Sequence, residues 1–228
     1  MKPGRHVILM GPQGAGKGTQ AERLAPALGL LHLSTGAIFR GTIKSGTELG
    51  ETLRGYLDRG ELVPDGLTLD VVSAALSAID ERVLIGGPSG ALFDGFPRTP
   101  RQAEGLESTL GSLGHGIAAV VTIDVPRDVL VARLSGRLTC PVCGTIYHVA
   151  FKAPLVSGVC DLEGATLEQR ADDTPEAIRR RLDLYDEQTK PLERFYDERG
   201  LLRRVDGEAT IDDVTTALVA AITPDAGA

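Results

Sequence analysis

His6-Val7-Ile8-Leu9-Met10 runs into Gly11-Pro12-Gln13-Gly14-Ala15-Gly16-Lys17-Gly18-Thr19, and this junction decides the fold. A short apolar run ends in a glycine-rich turn, and Lys17 to Leu28 follows with Leu24, Ala25 and Leu28 at helical spacing. Strand, glycine turn and helix in that order form the setting of a phosphate-binding loop. Glycines let backbone N–H groups turn inward around oxyanions, a lysine neutralises a transferred phosphoryl group, and the helix N-terminus adds its dipole. The general pattern has Ser or Thr directly after the lysine; here Gly18 stands there and Thr19 comes next. A turn that merely joined a strand to a helix would need no Lys17.

Working outward, similar apolar runs occur at Leu31 to Leu33, Ala91-Leu92-Phe93 and Ile117 to Ile123, and more weakly at Leu201 to Val205. They alternate with helical stretches at Thr99 to Leu113, Arg127 to Leu138 and Ile211 to Ala221. This alternation predicts a parallel sheet covered by helices on both faces, and the unbroken apolar run to Ile123 suits a strand buried on both sides. Two stretches break the rhythm. Gly41 to Asp80 reads as helical with no strand, an insertion on the sheet's edge, whereas Thr139 to Asp173 holds all three cysteines and reads as a separate small lobe. A long helix from Thr174 to Arg199 then returns the chain to the body, with Thr174 as N-cap, Pro175 in its first turn and Gly200 past its end. Thr223 to Ala228 reads as a disordered tail.

With 228 residues the chain has room for one substantial core plus small insertions. It carries 28 glycines, no tryptophan and only 5 Phe and 4 Tyr, which favours phosphate loops and hinges over an aromatic core. A net charge of −7 argues against nucleic acid or an anionic membrane as partner, so an anionic ligand must be held by locally placed arginines. Met1-Lys2-Pro3-Gly4-Arg5 and the five residues after it are too short for a signal peptide's apolar region. No run reaches the length needed to span a bilayer. The pair Cys140-x-x-Cys143 fits a metal knuckle in a reducing compartment, and the expected location is the cytoplasm.

The loop Gly14-Ala15-Gly16-Lys17-Gly18-Thr19-Gln20 resembles that of the adenylate kinases. Further motifs of that family follow in order: Leu33-Ser34-Thr35-Gly36 with Arg40, Leu62-Val63-Pro64-Asp65, and Asp94-Gly95-Phe96-Pro97-Arg98-Thr99 with Gln102. Then come Arg133 and Arg137, Gln169-Arg170-Ala171-Asp172-Asp173, and Arg181, so the resemblance runs to about Val205-Asp206-Gly207. It implies an α/β P-loop kinase: a three-layer sandwich with a central parallel sheet, a helical AMP-binding insertion and a small lid lobe. The implied division is core over 1–34, 67–138 and 174–228, AMP-binding insertion over 35–66, and lid over 139–173. The implied reaction is reversible transfer from ATP to AMP, giving two ADP, with Mg2+ accompanying ATP.

The resemblance also implies roles. Gly14, Ala15, Gly16, Lys17, Gly18, Thr19, Arg133, Arg137, Ile146 and Tyr147 would hold ATP. Thr35, Arg40, Glu61, Leu62, Val63, Gly95, Phe96, Pro97, Arg98, Gln102, Arg170 and Arg181 would hold AMP. Lys17, Arg98, Arg137, Arg170 and Arg181 would surround the transferred group, and Asp94, at the end of a central strand, would hold magnesium through water. Such roles suit the chemistry, because two polyphosphate anions meet in line only among fixed cations, and arginine forks hold phosphate bidentately. The family commonly has an acid where Ala37 stands, which implies a weaker magnesium network. Arg179 and Arg180 read as a solvated, ion-paired face. Asp172 and Asp173 read either as helix-start acids or as anchors of the arginine network. None of the four histidines is assigned to catalysis.

Cys140-Pro141-Val142-Cys143-Gly144 has the form of a metal knuckle, and Cys160-Asp161-Leu162-Glu163-Gly164 repeats its spacing with a carboxylate in the last ligand place. One structural Zn2+ held by Cys140, Cys143, Cys160 and Glu163 is the expectation, with Asp161, His148 or water as alternatives to Glu163. A lobe of about 35 residues has too little core to hold its shape unaided. The expected partners are ATP, AMP and ADP, and the expected state is a monomer. The readings set beside this one are a sibling kinase accepting UMP or CMP, disfavoured by the long lid and Gln102, and a nucleotide-controlled binding module, disfavoured by the arginines.

Overall fold

The computed structural model describes residues 5–83 and 88–223; the amino-terminal residues 1–4 and the expected tail beyond Thr223 lie outside them. Five parallel strands form the central sheet: β1 (Arg5–Met10), β2 (Leu31–Ser34), β3 (Ala91–Asp94), β4 (Gly116–Asp124) and, last in the chain, β7 (Leu202–Asp206), in the order β2-β3-β1-β4-β7. Helices α1 (Lys17–Leu28), α5 (Pro100–Ser112), α6 (Arg127–Ser135) and α9 (Ile211–Ile222) make the crossovers and the final cover. The period of two along a strand explains the three layers. Val7 and Leu9 join Leu24, Leu130, Ile178 and Leu218 in one buried cluster, while Ile8 and Met10 join Leu76, Leu106, Leu192 and Tyr196 in another on the opposite face. The sheet is therefore buried on both sides, as its apolar strands require.

The stretch after β2 is helical throughout: α2 (Thr35–Lys44), α3 (Glu48–Asp58) and α4 (Asp65–Val83). Phe39, Leu53 and Val63 form a separate small core there. Ser34 and Thr47 cap α2 and α3 by accepting from Ala37 N–H and Gly50 N–H. The lid contains β5 (Arg137–Thr139) paired antiparallel with β6 (Ile146–His148), and its core is Cys140, Tyr147, Cys160 and Leu167. The two lobes touch each other where the Lys44 ammonium donates to the Pro141 carbonyl.

Two element boundaries depart from the sequence reading. The helix expected over Arg127 to Leu138 stops at Ser135, and Arg137 already belongs to β5. Gly136 stands at the break, where a Cβ would come within 2.5 Å of His148 Nε2 and 2.9 Å of Val149 Cγ2, so a larger residue would have to push these side chains aside. The helix expected over Thr174 to Arg199 is α7 (Pro175–Leu184), a π-helical turn over Tyr185–Thr189, and α8 (Pro191–Asp197). Pro191 has no N–H and its ring obstructs the carbonyl four residues back. The chain accommodates it by widening, with Lys190 N–H bonding to the Tyr185 carbonyl at 2.8 Å. Thr174 caps the start through Ala177 N–H, and Gly200 follows the end with φ +67°.

Candidate active site

The carboxyl ends of the parallel strands open into a cavity of about 640 Å³, the expected ligand position in an open α/β sheet. The loop after β1 forms its floor. Gly14 and Gly16 have φ of +88° and +97°, which turns the backbone inward ahead of α1, whose first N–H groups carry no side-chain cap. Gly11 is forced by its neighbour: a Cβ would meet the Ile123 carbonyl oxygen at 2.8 Å. Lys17 donates to the Gly11 and Pro12 carbonyls at 2.6 and 2.8 Å. Burial pulls its pKa down to about 8; Arg98, Arg181 and Arg137 push the same way, against the pull of Asp94.

The cavity wall gathers Arg40, Arg98, Arg133, Arg137, Arg170 and Arg181 from six different parts of the chain. Burial, and next the facing guanidiniums, lower Arg40, Arg98, Arg170 and Arg181 from the usual arginine value, and all remain charged at neutral pH. The acids among them fix geometry rather than cancel the charge. Asp173, whose side chain is 0% exposed, accepts from Arg137 Nε at 2.7 Å and Nη2 at 2.5 Å, and from Arg181 Nη1 at 3.2 Å. Asp172 lies 2.9 Å from Arg181, and the four surrounding arginines hold its carboxyl below the usual range despite burial. Of the two readings of these acids, the arrangement fits the anchoring one. Arg170 Nε donates to Thr139 Oγ1, and Arg133 Nη2 to the Gly207 carbonyl. Arg179 lies on the exposed face beside Glu176, while Arg180 pairs with Glu61 of the insertion at 2.9 Å.

Asp94 ends β3 and faces the loop, 3.6 Å from where a Gly18 Cβ would stand. Burial works against its ionisation, but His32 at 3.5 Å, Lys17 and Arg98 together keep its carboxyl below the ordinary range. Ala37, on the same wall, adds no second carboxylate beside it.

A second, narrower cavity of about 70 Å³ adjoins the first beneath the insertion. Thr35, Arg40, Glu61, Leu62, Val63, Gly95, Arg98, Gln102 and Arg181 line it, and Arg40, Gly95, Arg98 and Arg181 border both cavities. Three residues grouped with this side by the sequence lie elsewhere. Phe96 and Pro97 are buried and line neither cavity, Phe96 packing in the core beside Phe93, and Arg170 lines only the larger one. The Gln102 amide is already engaged, accepting from Arg98 N–H and donating to Asp65.

The larger cavity also includes residues the sequence reading did not assign. Gly207, Glu208, Ala209 and Thr210 follow β7, and their position at the end of a parallel strand was a usable signal. His148 stacks on Phe151 at 4.5 Å and takes two backbone N–H groups on Nδ1, which uses that nitrogen away from the thiols. His32 carried no local pattern that would single it out, and Gln13 stood inside the glycine loop without a role of its own.

In the lid the sulfurs of Cys140, Cys143 and Cys160 lie within 4.8 Å of one another. The two knuckles share one hydrogen-bond scheme. Gly144 N–H bonds to the Cys140 carbonyl and Cys140 N–H to Thr145; likewise Gly164 N–H bonds to Cys160 and Cys160 N–H to Ala165. Glu163 thus occupies the place in its turn that Cys143 has in the other, although its exposed carboxylate is not in the close group. Burial pushes the Cys160 thiol up, yet the Tyr147 hydroxyl and the Glu163 and Leu162 N–H groups outweigh it and hold the thiol below its usual value. Convergent sulfurs with N–H donors fit a tetrahedral thiolate-bound ion.

Among the described residues, no helix is long and apolar enough to cross a membrane. The sequence matches the family model described as adenylate kinase over residues 9–201. It is 45% identical to an adenylate kinase of Staphylococcus aureus over 214 residues, covering 94% of this chain and 97% of that protein. It is likewise 45% identical to an adenylate kinase of Carboxydothermus hydrogenoformans over 212 residues, covering 93% and 96%. A relative from Staphylococcus epidermidis, also an adenylate kinase, is 44% identical over 214 residues. Matched by the family model over most of its length and by relatives along nearly all of theirs, the chain belongs to the adenylate kinase family.

Proposed function

We propose that this chain moves the terminal phosphoryl group of ATP onto AMP, reversibly, to give two ADP. The observation that carries the reading is the set of Lys17 and six arginines on the larger cavity, three of which, Arg40, Arg98 and Arg181, also border the narrower one, only partly offset by Asp94, Asp172 and Asp173. Such a surplus of fixed positive charge between two sites suits the meeting of two nucleotide phosphates, for which positioning and electrostatics supply most of the catalysis. ATP takes the larger cavity, with its phosphates on the Gly14–Thr19 loop and Lys17, and with Arg133, Arg137, Ile146 and Tyr147 beside it. AMP takes the narrower one, with its phosphate on Arg40 and Arg98 and its adenosine near Thr35, Leu62, Val63 and Gln102. Arg181, which borders both, spans donor and acceptor, and Arg170 approaches from the ATP side. Asp94 holds the water shell of Mg2+, an ion that neutralises charge on the donor's phosphates when bound. The test is a coupled assay with AMP, UMP, CMP and GMP as acceptors; faster turnover with a pyrimidine monophosphate would overturn the assignment of AMP.

The core over 1–34, 67–138 and 174–228 then carries two moving parts, the insertion over 35–66 and the lid over 139–173. A cavity of about 70 Å³ is far below the roughly 300 Å³ of a small-ligand pocket, so the insertion must swing outward to admit AMP. Arg40→Ala or Arg98→Ala is expected to raise the Michaelis constant for AMP at least tenfold more than that for ATP, each lost phosphate contact being worth about 1.5 to 3 kcal/mol. Steady-state kinetics with each substrate varied in turn checks this, and equal effects would place these arginines on the other nucleotide.

Lys17 gives a pH dependence. Its pKa of about 8 in the free protein must rise when a polyphosphate binds, so above pH 8 binding takes up a proton. ATP affinity is expected to be level below about pH 7.5 and to fall by up to about tenfold per pH unit above pH 8. Calorimetry in two buffers of different ionisation enthalpy measures the uptake directly, and none at pH 9 would contradict the assignment.

The lid is proposed to hold one structural Zn2+ through Cys140, Cys143 and Cys160, with Glu163 as the fourth ligand. The matching turns support this choice, because Glu163 holds in the second knuckle the position that Cys143 holds in the first. Metal analysis of protein purified without added zinc tests it.

A further inference from the structure

Tyr147 is 3% exposed and sits in the middle of β6, between Ile146 and His148, in the strand that borders the larger cavity. Its hydroxyl does not end in that cavity. It accepts the backbone N–H of Asp161 at 2.9 Å and lies 3.5 Å from Cys160 Sγ, inside the lid core. The first contact fixes the direction of the second. With the oxygen accepting from Asp161, the hydroxyl proton is the one left to point at Cys160, and a metal-bound thiolate can only accept. We infer that Tyr147 is a positioning residue for the lid metal: its hydroxyl donates to the Cys160 thiolate, orients that ligand, and ties the ATP-facing strand to the ion.

The inference rests on the zinc reading above and goes beyond it, because spacing and sulfur clustering alone give Tyr147 no part. Cys160 is 2% exposed, so water has little access to supply the same hydrogen bond. The donor comes from another turn of the chain, 13 residues away, and therefore also staples β6 to the second knuckle. Outer-sphere donors of this kind are worth about ten- to a hundredfold in metal affinity. Because β6 lines the nucleotide cavity, loss of the bond should also be felt by ATP and much less by AMP.

The experiment uses full-length protein and Tyr147→Phe, which keeps the ring that fills the lid core. Zinc affinity is measured by competition with a chromophoric chelator, and cobalt(II) is substituted to read the sulfur-to-metal charge-transfer band. The expected result is zinc binding weakened by about ten- to a hundredfold, a displaced cobalt band, and a larger rise in the Michaelis constant for ATP than for AMP. A purely packing role would leave the cobalt band where it is in the parent protein. Zinc affinity within about twofold of the parent, or an unmoved cobalt band, overturns the inference while leaving the zinc reading intact. A parent protein that binds neither zinc nor cobalt overturns both, and shows it before any variant is made. Should Tyr147→Phe not fold, 3-fluorotyrosine at the same position keeps size and hydroxyl but makes a stronger donor, and an unmoved cobalt band there overturns the inference equally.

Discussion

Lys17→Ala is expected to lower kcat by about a hundred- to a thousandfold while leaving the melting temperature within a few degrees of the parent. The lysine stands at the mouth of the loop, its ammonium held by the Gly11 and Pro12 carbonyls in reach of any phosphate on the helix N-terminus. Removing one preorganised charge that faces the developing transition state costs about 3 to 4 kcal/mol, at about 1.4 kcal/mol per tenfold in rate. Stability should hardly suffer, because burial already disfavours the charged lysine and the repulsion relieved from Arg98, Arg181 and Arg137 offsets the lost attraction to Asp94. Lys17→Arg should not rescue the rate, since a planar fork cannot occupy the space of a compact ammonium. Turnover within tenfold of the parent, measured at saturating substrates, would remove Lys17 from the mechanism.

Asp173→Ala should do the converse and damage the fold as well as the rate. Its carboxylate is wholly buried and is shared by Arg137 and Arg181, whose side chains are only 12% and 13% exposed. Deleting the acid leaves Arg137 without its buried anion and Arg181 with Asp172 alone, and breaking a buried pair in this way costs about 3 to 5 kcal/mol. For a chain of this size that is a fall of roughly 10 °C in melting temperature. Because a bound phosphate can replace the lost anion, a bisubstrate analogue joining two adenosines through five phosphates should raise the melting temperature more in the variant than in the parent. Thermal unfolding with and without the analogue checks both statements, and an unchanged melting temperature in its absence would refute the anchoring role.

The body of the fold was legible because its signals are local. The run His6 to Met10, the glycine loop and the alternating strands each carry their own period, and each predicted strand occurs within a residue or two of its place. The break at Gly136 was not legible, since the helical pattern of Val129, Leu130, Arg133 and Leu134 continues smoothly and the side chain packed on Gly136 lies twelve residues on, at His148. Family motifs pointed to the arginines, but the carboxylate that orients two of them, Asp173, is also a plausible helix-start acid. Only the packing of the lid against α7 separates the two readings. Phe96 and Pro97 stand inside a family motif, yet both are buried, Phe96 in the core, and they flank the backbone of Gly95 and Arg98. Motif membership gives the neighbourhood of a residue; the direction of its side chain is set by contacts distant in sequence.

The wide turn at Tyr185–Thr189 imposes a counting rule on the carboxyl-terminal third of the chain. Ahead of it Ile178 and Leu182 belong to the core on one side of the sheet, and after it Leu192 and Tyr196 belong to the core on the other. At the turn itself Thr189 donates to the Arg98 carbonyl, so the point of changeover is pinned where the two cavities meet. Each residue added to or removed from a helix rotates everything downstream by about 100°. Deleting one residue to make this helix regular would leave Arg181 facing the two cavities but carry Leu192 and Tyr196 out of register with their core. The segment therefore tolerates change of identity better than change of length, and a chimera joining this helix to another family member's body should place its junction before Ile178 or beyond Tyr196.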